Sequence, residues 1–468
     1  MSSKTNNANS RIRLMSTGRI FAKYIVSPLT PKILMVVYLY ITQNILSKER
    51  IPHSTYGWPR KMAALIPRYT LQAARRQTTC IGAVAVQTLQ TNHYSSQPRV
   101  IKDPTTASLK RGTGGRSSFN GMVCTLFGAT GFVGRYVCNR LGKIGTQLVI
   151  PYRGDMYDCM RLKLCGDLGQ VLFHPFHLRD DESIRKCIKY SNVVINLIGR
   201  DWETRNFTFH EVHVEGARRL ARLCKEANVE HFIHVSALNV GEESVAHILK
   251  DGSQILRTKL EGEHAVLEEF PEATIIRPAD IWGQEDRFTR VYSSILRHHF
   301  RTVPLWEKGE KTEKQPVAVY DVAGGITAIA KDPVNTAGKT YQFVGPKRYK
   351  LSELLDWFHR IRIRDPVEYG YKRMDLKYAP LFKIKVTLNE LLTPAYPLQA
   401  VHWESLERET ISDKIFNELP TLEDLGIELT TMESRMHWEL KPYRKDVQYM
   451  ESVGEFDPIP DPPTVPIH

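Results

Sequence analysis

The residues with the clearest chemical meaning are three glycines. Gly128, Gly131 and Gly134 stand in "GATGFVG", directly after the apolar run "MVCTLF" at residues 122–127. Directly after them, Val133, Val137 and Leu141 in "FVGRYVCNRL" recur at helical spacing. A turn between a buried strand and a helix N-terminus offers free backbone N–H groups to phosphate. Gly128 permits the tight turn, Gly131 lets a pyrophosphate approach the backbone, and Gly134 lets the helix pack on the strand. The pattern predicts a dinucleotide site. The next strand, "QLVIPYRG", ends in Arg153, where such a fold meets the adenosine ribose. An acid there favours the free 2′-hydroxyl of NAD. Arg153 suits the 2′-phosphate of NADP, and Asp155 is the competing residue.

These groups need a scaffold, and the sequence supplies one at βαβ spacing. "QVLFHPF" (170–176) precedes a short helix over 181–189. "NVVINLIG" (192–199) is an apolar strand whose end, Asn196 to Gly199, is expected beside the cofactor. Val214, Ala217, Ala221 and Cys224 share one face of a long helix, and "HFIHVSAL" is a strand ending near Ser236. The alternation predicts an α/β fold: a doubly wound, Rossmann-type parallel sheet with its ligand at the strands' C-terminal ends, and a smaller mixed C-terminal region.

Charge argues against one class of function. The chain has 468 residues and a formal net charge of +13, but residues 1–100 hold 14 Lys/Arg and one acid, Glu49. The whole excess therefore sits in the N-terminal arm, and a neutral body is poorly suited to nucleic acid. The 7 cysteines include no C-x-x-C pair and none lies beyond Cys224. That excludes a disulfide framework, a zinc module and an iron–sulfur motif; no metal is expected. Residues 62–97 carry Arg68, Arg75 and Arg76 without an acid, the composition of an amphipathic mitochondrial presequence, and Met62 is the expected start of the main product. The apolar stretch 33–46 is too short and too polar to span a bilayer. The expected organisation is an N-terminal extension (1–94), a Gly/Ser/Arg-rich linker (95–120), a nucleotide-binding domain (121–290), substrate-side elements (291–355) and a helical or irregular extension (356–468).

"FGATGFVGR", "NVVINLIG", "HVEGARRLARLCKEANVEHFIHVSAL" and "IIRPADIWG" together resemble the extended and atypical short-chain dehydrogenase/reductase superfamily, over residues 121 to about 350. "QPVAVYDVAGGI" (315–326) and "YQFVGPKRYKLSELL" (341–355) resemble its C-terminal substrate-side elements. "YRGDMYDCMRLKLCGDLGQ" and "NVVINLIGRDWETRNF" narrow the resemblance to the NADPH-binding accessory subunits of mitochondrial respiratory complex I. In active members of the superfamily a Ser or Thr polarises the substrate, a Tyr transfers the proton, and a Lys four residues later holds the nicotinamide ribose. Ser236 and Lys259 match two of these, but the Tyr position is Ile255, which transfers no proton. No Tyr lies between Tyr190 and Tyr292, so no shift of register restores one. His247, His264, Ser253 and Gln254 are the nearby substitute donors to be tested. Asp201, Trp202 and Glu203 follow the fourth strand, where they could line the substrate side or serve as caps and interface residues.

The candidate cofactor contacts are Gly128, Thr130, Gly131, Phe132, Val133, Gly134, Arg153, Leu178, Ile198, Gly199, Ser236 and Lys259, for one NADPH per chain. The resemblance implies a non-catalytic subunit on the matrix side of the mitochondrial inner membrane, with other complex I subunits as partners. Two other readings are a free mitochondrial NADP-dependent oxidoreductase or isomerase, and a nucleic-acid-binding relative. Residues 365–394 mix Lys/Arg with Tyr, Phe and Leu, which suits either an amphipathic surface for a membrane or partner, or a small subdomain covering the sheet.

Overall fold

The computed structural model describes residues 111–241, 246–294, 297–298, 302–363, 371–392, 401–444 and 459–466. The presequence, Met62, the 33–46 stretch and linker residues 95–110 lie outside the described residues.

Seven short runs of buried aliphatic residues pair into one parallel sheet. Its strands are β1 (Val123–Phe127), β2 (Gln147–Tyr152), β3 (Val171–Pro175), β4 (Val193–Asn196), β5 (His231–Val235), β6 (Thr274–Pro278) and β7 (Thr340–Phe343). They lie in the order β7-β6-β5-β4-β1-β2-β3, all parallel. The order reverses at β1, so the crevice for a ligand opens beside the end of that strand. The doubly wound fold expected from the sequence is the one observed.

Period-two alternation sends neighbouring residues to opposite faces. Cys124, Leu126, Val193, Ile195 and Ile276 face one layer, with α1 (Phe132–Lys143) and α5 (Val319–Lys331). Phe127, Val194, Phe232 and Ile275 face the other, with α2 (Asp181–Ile188), α3 (Gly216–Glu226) and α4 (Gln254–Glu269). The helices start where side-chain chemistry predicts: Asp180 accepts from the Glu182 N–H, and Ser253 accepts from the Leu256 N–H. Two elements of the nucleotide layer, β7 and α5, lie beyond residue 290. Residues before 121 also pack against it, since Arg111 pairs with Phe119 and the Asn120 N–H reaches the Gly145 carbonyl at 3.2 Å.

A second core joins Trp282, Leu354, Trp357 and Phe358 to Met432 and Met436. It rests on α6 (Leu351–Arg362) and α9 (Met432–Glu439). A third joins Leu376, Phe382 and Val386 to Val401 and Leu406, on α7 (Pro380–Leu392) and α8 (Trp403–Thr410).

Candidate functional site

The glycine turn has the geometry its chemistry requires. Gly128 has φ +81°, and a Cβ there would lie 2.9 Å from the Leu197 carbonyl group. That conformation and that spacing suit glycine alone. At Gly134 a Cβ would meet the Gly128 carbonyl oxygen and the Ala129 Cα, each at 2.6 Å, so its absence lets α1 sit on β1. Gly131 is the N-cap of α1. No side chain caps that end and no acid lies in its first turn. Its amide groups are left for an anion, which the helix dipole also favours. The Thr130 carbonyl accepts from Arg135 Nε at 3.2 Å, and Arg135 pairs with Glu285 across the turn. Phe132 meets Tyr136 edge-on at 5.7 Å, and Tyr136 meets Tyr320 of α5 at 5.2 Å. Val133 packs on the α1–α5 core.

Arg153 is exposed at the end of β2, its guanidinium 5.5 Å from the Phe207 ring. Leu178, Phe207, Val212 and Ile198 form a small apolar cluster beneath it. Arg200, which the sequence reading did not single out, stands near Arg153. Burial, then repulsion by Arg153 and Arg287, lowers the pKa of Arg200. Among the described residues neither Arg153 nor Arg200 has an acid within ion-pair distance. The Arg200 guanidinium lies 5.8 Å from the Trp202 ring, and two neighbouring cations of which neither is paired with an acid suit a phosphate. Asp155 accepts from the Tyr157 N–H at 2.9 Å, just ahead of the short helix Tyr157–Met160. Gly199 is exposed beside His213.

Lys259 and Ser236 converge. Lys259 Nζ donates to the Ser236 carbonyl at 2.9 Å. Ser236 Oγ is buried without a hydrogen-bond partner among the described residues. Burial, then the nearby Arg408, brings the Lys259 ammonium down to about 8, against the opposing pull of Asp201 and Glu263. Glu263, one turn on, holds Arg277 of β6 in a two-pronged pair, its closest contact 2.6 Å, and this fixes α4 on the sheet. Ile255 is 1% exposed, packed inside the protein one turn before Lys259.

The substitute donors are held apart from the Lys259–Ser236 pair or exposed to solvent. Ser253 Oγ donates to Glu404 at 2.9 Å, and the Gln254 N–H reaches the same carboxylate at 3.1 Å. The His247 ring lies 5.7 Å from Trp306, and His264 is exposed on α4. His213 accepts the Arg200 N–H on Nε2 at 3.2 Å and meets Thr258 Oγ1 at 2.9 Å, so its Nδ1 carries the proton. Burial holds it neutral, its pKa lowered to about 3.

The least expected feature is α8, from the C-terminal third. Glu407, fully buried, accepts the N–H groups of His247, Ile248 and Leu249 at 2.7–2.9 Å. Arg408 reaches Asp201 at 3.2 Å and Asp280 at 3.8 Å, while Lys314 holds Asp280 at 3.1 Å. Despite burial, Arg408 and then Arg287, which also pairs with it, keep the Asp201 carboxyl well below its usual range. Trp202 meets His402 edge-on, and Asp413 accepts from Asn239 at 2.9 Å. The residues just past β4, β5 and β6, and the start of α4, are thus all tied to residues 402–413. In open α/β sheets those strand ends face the substrate. The sequence left Asp201, Trp202 and Glu203 between lining the substrate side and serving as caps or interface residues; Asp201 and Trp202 contact Arg408 and His402 at these strand ends, while Glu203 accepts the Phe209 N–H at 3.0 Å.

Among the described residues no group of three metal-ligating side chains occurs, and no helix is long and apolar enough to cross a membrane. Residues 124–343 match the NAD dependent epimerase/dehydratase family. The mouse mitochondrial NADH dehydrogenase (ubiquinone) 1 alpha subcomplex subunit 9 is 46% identical over 72% of this chain and 85% of its own length. The Neurospora crassa mitochondrial NADH-ubiquinone oxidoreductase 40 kDa subunit is 35% identical over 81% of this chain and 94% of its own. The Arabidopsis thaliana subunit 9 is 44% identical over 53% and 60%. The resemblance read from the sequence is borne out: the chain belongs to the family of these mitochondrial NADH dehydrogenase (ubiquinone) alpha subcomplex subunits.

Proposed function

We propose that this chain is a non-catalytic accessory subunit of mitochondrial respiratory complex I, on the matrix side of the inner membrane, and that it holds one NADPH as a structural ligand. The observation that carries this reading is the buried Ile255 beside a Lys259–Ser236 pair: the groups that hold a nucleotide are kept and the proton donor is replaced. The residues present fit the cofactor. The uncapped N-terminus of α1 would take the pyrophosphate, Lys259 the ribose hydroxyls, and Arg153 with Arg200 the 2′-phosphate. Bound NADPH supplies a hydride. The protein around it supplies no acid at Ile255 and no open substrate side, because residues 402–413 fill it. What the ligand contributes is stability by mass action, roughly 2.7 kcal/mol at a concentration a hundred times its Kd.

The α7 face supports the membrane contact. Phe382 and Val386 are buried inside, while Leu381, Ile384, Leu388 and Leu391 form an exposed stripe at helical spacing, with Tyr378 exposed at its start. Native gel electrophoresis of mitochondria expressing the Lys259→Ala chain tests the reading. Co-migration of the wild type with complex I, and a loss of assembled complex in the variant, is the expected result. A wild-type chain that migrates alone overturns it.

A further inference from the structure

A cavity of about 470 Å³ opens in the C-terminal subdomain, and none of its lining residues belongs to the nucleotide site or to the α8 network. Its wall is unusually cationic. Arg373 is the lining cation that ion-pairs, with Asp356 at 3.3 Å and Glu310 at 3.9 Å, and among the described residues those are the two acids that line the cavity; Arg360 is close enough to Asp356 to pull its pKa down against burial. Lys308, Arg360 and Lys372 line it too, and among the described residues none has an acid within 4.0 Å. Cations on a convex surface are usually just solvated. Here they border a concavity, where their fields add.

Two further features mark the place. Lys308 sits in a turn where Glu307, Lys308 and Gly309 have φ of 45°, 57° and 72°. Left-handed backbone at two non-glycine residues in succession costs free energy, and such strain gathers at binding sites. The turn is held because the Lys308 carbonyl accepts from Arg373 at 3.3 Å. On the other wall, His359 stacks on Tyr371 at 4.4 Å between centroids, giving a flat surface beside the charges. The strand Lys372–Asp375 then leads within a few residues to Tyr378 and the exposed apolar face of α7.

We propose that this cavity binds a phosphate ester, held by Lys308, Arg360 and Lys372. The ester is the headgroup of an acidic phospholipid or a soluble phosphate ester. The site is independent of the NADPH reading, and it can fail or stand without it.

The test uses the full chain and the double variant Arg360→Gln/Lys372→Gln, with Lys225→Gln on α3, outside the cavity and away from α7, as a charge control. All three substituted side chains are exposed, so folding is checked simply by the melting temperature. Binding is measured to phosphatidylcholine vesicles with and without phosphatidylglycerol, and to glycerol 3-phosphate by calorimetry. A lipid ligand predicts that the double variant binds acidic vesicles roughly thirtyfold less tightly, at about 1 kcal/mol for each cation, with little change for Lys225→Gln and no heat from glycerol 3-phosphate. A soluble ester predicts saturable heat that the double variant loses. The proposal is overturned if the double variant matches the wild type with both probes, or if Lys225→Gln weakens vesicle binding as much as a cavity substitution does.

Discussion

Replacing Arg153 with Ala separates NADPH from NADH. Arg153 is exposed and among the described residues pairs with no acid, so the substitution leaves no buried group unsatisfied and should not unfold the chain. What it removes is a cation facing the place where the adenosine ribose of this fold sits. A hydrogen bond between charged groups contributes about 1.5–3 kcal/mol, and exposure puts Arg153 at the lower end. That corresponds to roughly a tenfold loss of NADPH affinity. NADH lacks the 2′-phosphate and should bind both proteins alike. Arg200 stands near enough to Arg153 for their repulsion to help lower its pKa. If both clasp one phosphate, Arg153→Ala and Arg200→Ala will not add, because the first loss changes what the second is worth. The assay is a calorimetric titration of the full chain and the three variants with each nucleotide at fixed salt. NADPH and NADH affinities that fall together, or an unchanged NADPH affinity, would refute the reasoning and return attention to Asp155.

Three further outcomes follow from buried groups. Ile255→Tyr restores the residue type of the active superfamily at a site 1% exposed, so it should cost about 1–3 kcal/mol by overpacking and yield no activity; measurable turnover would contradict the filled substrate side. Glu407→Ala strips three backbone N–H groups of their acceptor and should destabilise by about 3 kcal/mol, read as a lowered urea midpoint and faster proteolysis near residue 248. His234 has its pKa lowered to about 3 by burial, then Lys259. The unfolded chain takes up that proton first, so stability is lost as pH falls from about 6.5 towards 3. Between pH 7 and pH 5 the loss should be roughly 2 kcal/mol. Urea unfolding at the two pH values should show a correspondingly flatter dependence in His234→Phe.

The nucleotide half of the fold was legible because its signals are local. Apolar runs such as "NVVINLIG" became β4, and the glycines of "GATGFVG" stood between β1 and α1 as their spacing implied. The position of Ile255 was equally plain, since a helix places it one turn from Lys259. What the sequence hid was long-range. Glu404 meets Ser253 across 151 residues, and Arg408 meets Asp201 across 207. No periodicity announces such pairs. The composition of the C-terminal third left an amphipathic surface and a covering subdomain as alternatives, and the carboxylate of Glu407 gains its place only when three amides 158–160 residues away are folded to receive it. Arg200 was missed for a related reason. It follows Gly199 with no motif of its own, and its meaning comes from standing near Arg153 in the folded chain.

The central claim is that the nicotinamide is held and not consumed. The most direct test loads the assembled complex with NADPH deuterated at the transferable position of the nicotinamide, drives NADH oxidation for many turnovers, and analyses the nucleotide then released from this chain. The account predicts NADPH with its deuterium retained. Recovery of NADP⁺, or of NADPH that has lost the label, would contradict it and make Ile255 the residue to explain.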